Sequence, residues 1–529
     1  MVLLIALIGL AIAGAANAAI VNVSGDIAAS TTWTANNEYQ LNGQVYVLPG
    51  ATLTIEAGTL IRSLVAQQGS LAVCRGAKIY AEGTKSNPII FTSSLDTLTA
   101  LHEGCNEWGN LTLMGSGLIS ASHYGGNPVG TNTKTPTGLN VKQMEGLTDP
   151  VKAMYGGAND NDDSGSISYV SLRYGGKVVG LANELNGLSL GGIGRETDIH
   201  HIDIMNNVDD GIEIWGGTVN LSFLNIWNIG DDSLDIDQGY RGKIQFGLIV
   251  QGFSTNAAQG SGVGDNAIEI DGAEDSDAQP VTTTTIYNVT VVGQPIDGDH
   301  GTAWRDNARV QYRNCIWMDL GEVLVKNDVS DGDGALGYGA NGTLSWANTW
   351  TTPYTATSTV NAGTWTPGAF NDPSVMYTVQ TSGYLAEISD SVFYNNLFGT
   401  AYNEATSRGV FAPAMNNVTA TLSPIQAITR GAIVVKGGKN MVPVTYINPC
   451  AANNAVTSVA AAPNDGFFKP AKFRGGFSAT HNWLEGWTSV DAYGMTNTSM
   501  NTANGDVNDD GFVDLNDFMV VTEGWLQAI

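Results

Sequence analysis

Cysteine is scarce in this 529-residue chain. Cys74, Cys105, Cys315 and Cys450 are the four present, with no C-x-x-C spacing, which excludes a disulfide-framed fold and a thiolate metal knuckle. A Cys74–Cys105 bridge is compatible with the sequence and not fixed by it. Positive charge is also short: 23 Lys and Arg face 50 Asp and Glu, a net charge of −27. Such a surface repels nucleic-acid phosphates and anionic lipid headgroups, and its natural partners are divalent cations. Charged residues make up only 14% and proline numbers 16, whereas glycine numbers 65. With abundant Thr, Val, Ile and Asn, this suits short strands and tight turns rather than helices.

Long apolar runs are lacking as well, apart from Met1 to Ala18, which ends in Ala16-Asn17-Ala18. That run fits a signal peptide cut before Ala19 and predicts a secreted protein, extracellular or at the cell surface. No Lys or Arg precedes the apolar stretch, so a retained hydrophobic helix that anchors the chain or bundles with copies of itself is the competing reading. A membrane is a partner only in that case. No lipobox cysteine is present.

The acidity is concentrated: residues 209–306 hold 16 Asp and Glu against three Lys and Arg. One chemical phrase recurs there, as Asp209-Asp210-Gly211-Ile212-Glu213-Ile214, Asp231-Asp232-Ser233-Leu234-Asp235-Ile236 and Asp265-Asn266-Ala267-Ile268-Glu269-Ile270. The first two copies lie 22 residues apart, and Ile202, Ile204 and Asn206 return as Leu224, Ile226 and Asn228 at the same offset. The third follows after 34 residues, an excess of 12 that matches the Gly/Ser/Asn-rich stretch Gly252 to Gly264. Near the start, Leu53, Ile55, Gly58 and Ile61 return as Leu71, Val73, Gly76 and Ile79, an offset of 18 that is read as a shorter coil. Alternating apolar residues share one strand face, and a strand this short buries that face only by stacking on its neighbours. The predicted fold is all-β, a right-handed parallel β-helix (solenoid) with a small C-terminal calcium-loop and helix segment.

Several segments carry a family resemblance: Gly83-Thr84 with Asn87-Pro88-Ile89-Ile90-Phe91-Thr92, Trp108-Gly109-Asn110-Leu111, Tyr155-Gly156-Gly157, and the repeated Asp-Asp phrases. Phe473-Arg474-Gly475-Gly476-Phe477 and Trp483-Leu484-Glu485-Gly486-Trp487-Thr488 extend it toward the end. Together these resemble the secreted bacterial β-helix proteins of pectin-lyase-like fold, whose function is unsettled. The resemblance implies a fold and an extracellular life, not an activity.

With Ile212, Leu234 and Ile268 inside, Glu213, Asp235 and Glu269 point outward on consecutive coils about 4.8 Å apart. Stacked like charges are destabilising unless screened, protonated or bridged, so this ladder is a candidate cation site, flanked by Asp209/Asp231/Asp265 and Asp210/Asp232/Asn266. Turn Asp and Asn residues also stack as plain hydrogen-bonding ladders, and the two readings are compatible. Polygalacturonase-like hydrolases, which share the fold, imply a catalytic reading of Asn207-Val208-Asp209, Asp231-Asp232, His300-Gly301 and Arg241-Gly242-Lys243, although the last pair stands in reversed order. A pectate-lyase-like reading makes Arg305, in Trp304-Arg305-Asp306, the base. The catalytic candidates are therefore Asp209, Asp231, Asp232, His300 and Arg305. Exposed tryptophans among Trp215, Trp227, Trp304 and Trp317 would offer sugar-stacking surfaces, although buried or capping roles are commoner for tryptophan.

At the tail, Asp506-Val507-Asn508-Asp509-Asp510-Gly511-Phe512-Val513-Asp514-Leu515-Asn516-Asp517 matches an EF-hand-like loop. Its ligands would be Asp506, Asn508, Asp510, the Phe512 carbonyl, Asp514 and Asp517, with calcium the cofactor. The loop resembles a dockerin repeat but occurs once. The expected organisation is a leader at 1–18, a parallel β-helix at 19–330, an irregular insertion and closing region at 331–500, and a single calcium repeat at 505–529. The stretch 331–381 has no assigned role. The predicted function is a calcium-stabilised structural or adhesive scaffold that self-associates into oligomers or filaments. The alternative is a polysaccharide-active enzyme or glycan-binding module using the acidic coils 205–306.

Overall fold

The computed structural model describes residues 18–120, 141–180, 183–253, 264–273, 279–327, 337–339, 343–359, 373–380, 382–396 and 414–497. The Met1–Ala18 leader, save Ala18, and the calcium loop at 506–517 lie outside the described residues. Among the described residues no helix is long and apolar enough to cross a membrane.

The body is a parallel β-helix. One sheet of nine parallel strands runs from Gln44–Val47 through Leu188–Gly191, Ile212–Trp215, Leu234–Asp237 and Ile268–Ile270 to Thr302–Trp304 and Val325–Asn327. A 17-stranded sheet forms the rest of the wall. Described helices span only four residues each. The 22-residue offset is a true coil: Ile212 pairs with Leu234, and Asp198 with Asn220. The longer third coil is also real, with Leu234 opposite Ile268.

The offset of 18 is corrected. Leu53 pairs with Ile79 and Val45 with Leu71, both 26 residues on, so Leu53 and Leu71 lie on different sheets of the same coil. Similar strand phrases on successive faces imitated a repeat. The sheet also continues past residue 330, because Glu387–Ser389 and Val392–Tyr394 pair with Arg309–Arg313 and Ile316–Met318.

Inward residues of successive coils form apolar columns, such as Leu188, Ile212, Leu234 and Ile268, all essentially inaccessible. Each such side chain contributes about 1.5–3 kcal/mol of burial. At the bend within the larger sheet, Tyr169, His201, Phe223 and Phe246 all adopt left-handed backbone, which costs roughly 1–2 kcal/mol per residue for L side chains. Stacking offsets it: ring centroids are 4.2 Å apart from Tyr169 to His201 and from His201 to Phe223, and 4.9 Å from Phe223 to Phe246.

The closing region latches over this column. Trp483 meets Phe223 edge-on at 5.5 Å and Trp487 meets Tyr169 at 5.5 Å. The Ser489 amide and hydroxyl donate to the buried Asp203 carboxylate at 2.8 and 3.0 Å. Trp215, Trp227, Trp304 and Trp317 are all buried, so the sugar-stacking expectation for them fails. Cys74 is a buried thiol outside any disulfide, so the Cys74–Cys105 bridge does not form.

Candidate functional site

The period-2 alternation that sends Ile212, Leu234 and Ile268 into the core sends Glu213, Asp235 and Glu269 outward in strict register. A second outward column holds Asp237 at the end of its strand and Asp271 and Arg305 just past theirs. Gly211 permits close stacking at the preceding turn, because a Cβ there would lie 2.4 Å from the Ser233 carbonyl.

The outward column lies in a half-open cleft rather than on a flat face. It lines a cavity of about 220 Å³ walled by nine acidic side chains and Arg305. Glu213 and Glu269 are buried and Asp235 is half-buried. Solvent screening therefore relieves the repulsion among them only in part.

The turn residues split between two roles. The Asp210 carboxylate accepts the Asp232 amide at 3.0 Å, and the Asp232 carboxylate accepts the Asn266 amide at 2.6 Å. One oxygen of each is thus committed to a coil-to-coil ladder. Asn186 donates through Nδ2 to Glu213, and Asn266 donates to Glu269 at 3.2 Å. Arg305 also pairs with Glu269, and lies 4.0 Å from Asp271. Asp235, in the middle, is different: its Oδ1 is buried with no hydrogen-bond partner. Ligand oxygens of Asp210, Glu213 and Asp235 lie within 4.8 Å of one another, as do those of Asp209, Asp210 and Asp231.

Electrostatics follow from this crowding. Burial first, then neighbouring carboxylates, pushes Asp209, Asp210, Asp232, Asp235 and Glu213 well above the usual carboxyl range. Burial and Asp265 bring Asp231 to about 6. Burial raises Glu269 to about 7 even with Arg305 beside it. Burial works against the Arg305 charge, yet Glu269 and Asp271 more than offset it and hold the guanidinium protonated.

All donors are oxygen, which suits a hard divalent cation such as calcium and not a soft metal. The cavity gathers four of the five catalytic candidates, Asp209, Asp231, Asp232 and Arg305. His300 stands behind the turn, bonded to Asn266 at 3.0 Å and paired with Asp299 at 2.5 Å and Glu322 at 3.1 Å. The loop ligands Asp506, Asn508, Asp510, Phe512, Asp514 and Asp517 fall outside the described residues. Sequence reading missed Glu145, which enters the cavity from a lateral hairpin, and its neighbour Glu184. Neither belongs to the repeated phrase, and no local signal marks them.

Searches of curated proteins and of solved structures returned no match to this chain. Residues 25–362 match the family described as the pectate-lyase-like β-helix domain, a span that covers the acidic cavity and every coil carrying the Asp-Asp phrase. With its parallel sheets in the register those phrases demand, the chain belongs to the pectate-lyase-like β-helix domain family.

Proposed function

We propose that this protein is a calcium-stabilised extracellular β-helix scaffold whose acidic cavity holds a divalent cation along the Glu213/Asp235/Glu269 column. The reading rests on Asp235, a half-buried carboxylate whose Oδ1 is buried and unpartnered at the centre of a like-charged cluster. Protonation relieves such a cluster at low pH; at neutral pH a hard cation relieves it better, because one ion answers several carboxylates at once. The tail loop at 506–517 is a second calcium site in this proposal. Stiffened coils would suit a surface or matrix role, and solenoid ends would suit self-association wherever they are left uncapped.

Calorimetry in EDTA and in millimolar calcium tests the column. Calcium at about 100 times its Kd adds roughly 2.7 kcal/mol of stability. Asp235→Asn should lose most of that increment while raising calcium-free stability by about 0.2–1 kcal/mol through removal of a like-charge neighbour. Identical melting of the native protein in EDTA and calcium would sink the proposal.

The alternative, an enzyme or glycan-binding module on the same coils, has less behind it. Arg305 is engaged by Glu269 and kept protonated, which disfavours it as a lyase base, and His300 is tied to Asp299 and Glu322. Cleavage of uronate polysaccharides at enzymatic rates, lost in Asp232→Ala, would reverse that preference.

A further inference from the structure

A second group of acids lies at the edge of the cavity, outside the repeated column. Lys142–Gln143 and Met154–Tyr155 form a small antiparallel hairpin beside the nine-stranded sheet. Its apolar side is well anchored: Met144, Leu147, Ala153 and Tyr155 pack with Met114, Ile119 and Trp215. The Tyr155 hydroxyl donates to Gln238 at 2.9 Å, and the Gly146 amide donates to Asn183 at 2.7 Å. This docking carries Glu145 toward Glu184 and Asp209, and one carboxylate oxygen from each lies within 4.8 Å of the others.

Glu184 supplies an independent observation. Its side chain is 2% exposed, and its Oε2 is buried without a hydrogen-bond partner. A buried carboxylate oxygen is strongly disfavoured unless a proton, a donor or a cation meets it. The Glu145 and Asp209 carboxylates each bring an oxygen within 4.8 Å of one on Glu184, so the neighbours added there carry the same charge. Burial and the Glu184 charge raise Glu145 to about 7 despite Lys142 nearby.

We propose that Glu145, Glu184 and Asp209 form a separate site for a hard divalent cation of the calcium class, which pins the 142–155 hairpin to the β-helix. Three carboxylates from three segments give an all-oxygen half-shell, and water completes the six to eight ligands such an ion takes. The site shares Glu145 and Asp209 with the walls of the central cavity but none of Glu213, Asp235 and Glu269, and it does not need the Asp235 column to be occupied. Its consequence is mechanical: the ion crosslinks residues far apart in sequence, so the hairpin opens less often when calcium is bound.

Amide hydrogen exchange on the full-length protein at neutral pH, with and without calcium chloride, reads this region directly. Peptides covering 142–155 should exchange roughly tenfold more slowly at calcium about ten times the Kd. Glu184→Gln, which keeps the shape and removes the charge, should abolish that slowing, and Asp235→Asn should retain it. Glu145→Gln, at the tip of the hairpin, should give the same loss as Glu184→Gln and serves if the buried variant does not fold. The inference is overturned if calcium leaves 142–155 unchanged in the native protein, or if both Gln variants keep the full effect. The column is scored separately by melting: calcium stabilisation sensitive to Asp235→Asn, with no slowing at 142–155, overturns this site and leaves the column standing. Slowing at 142–155 without calcium stabilisation sensitive to Asp235→Asn does the reverse.

Discussion

Among the described residues that line the cavity, Arg305 is the one cation, and it arises from an ordinary accident of register. Asp237, Asp271 and Arg305 occupy equivalent places on consecutive coils, so a single coil step replaces a carboxylate by a guanidinium. Its pairing with Glu269 opposes the burial that raises that acid to about 7. Arg305→Met should therefore destabilise the calcium-free protein. Removing one partner of a buried pair costs about 3–5 kcal/mol, and partial exposure of Arg305 places the loss at the lower end of that range. The same variant should gain more from calcium than the native protein does, because one more uncompensated carboxylate awaits the ion. Paired melting curves in EDTA and calcium check both signs.

At the scale of elements, the aromatic column and its latch are a distinct unit with their own pH response. His201 stacks between Tyr169 and Phe223, under Trp487, with its Nδ1 2.7 Å from that of His200. Burial first, and the His200 charge next, lowers His201 well below its usual value, with Lys469, His481 and Lys85 acting in the same direction. His200 is lowered too, again by burial, although Asp198 opposes it. The fold prefers both rings neutral. Their contribution is thus fully present above the unfolded value of about 6.5 and is lost as pH falls below it. Tryptophan fluorescence in EDTA should report loosening around Trp483 and Trp487 on acidification. His201→Phe, which keeps the stack and removes the proton site, should flatten that response; an unchanged profile would refute the assignment. Nothing in the spacing of His201 and Trp487 tells that they touch, since more than 280 residues separate them.

For the whole molecule, the carboxylate cluster sets the pH dependence in the absence of metal. Asp231 at about 6, and Glu269 and Glu145 at about 7, all lie above the usual carboxyl range near 4. A raised acid is favoured in its protonated form by folding. That stability is fully present below about pH 4 and is lost as pH rises through about 6 to 7. A calcium ion bound as proposed would displace the protons, so its affinity should climb over the same window. Melting temperatures in EDTA should fall from about pH 5 to about pH 8, while the increment due to calcium grows; parallel slopes with and without calcium would contradict both cation proposals. The tail is a separate module in this account. Asp506→Ala with Asp517→Ala should remove calcium heat from the loop and leave the melting of the β-helix unaltered, as calorimetry of the full chain would show.

What the sequence alone determined is the repeat and its two faces. Coil length was legible in the 22-residue return of Ile202, Ile204 and Asn206, and the facing of Glu213, Asp235 and Glu269 in strict alternation, because both are local consequences of strand geometry. Where local phrases on different sheets looked alike, as at Leu53 and Leu71, the same reasoning misread the register. Only the tertiary structure decided that the acidic column lines a cavity, that Glu145 and Glu184 join Asp209, and that Trp215, Trp227, Trp304 and Trp317 are buried. Those outcomes depend on which segment packs over which coil. That choice is made by side-chain complementarity between residues distant in the chain, and periodicity along the chain carries no record of it.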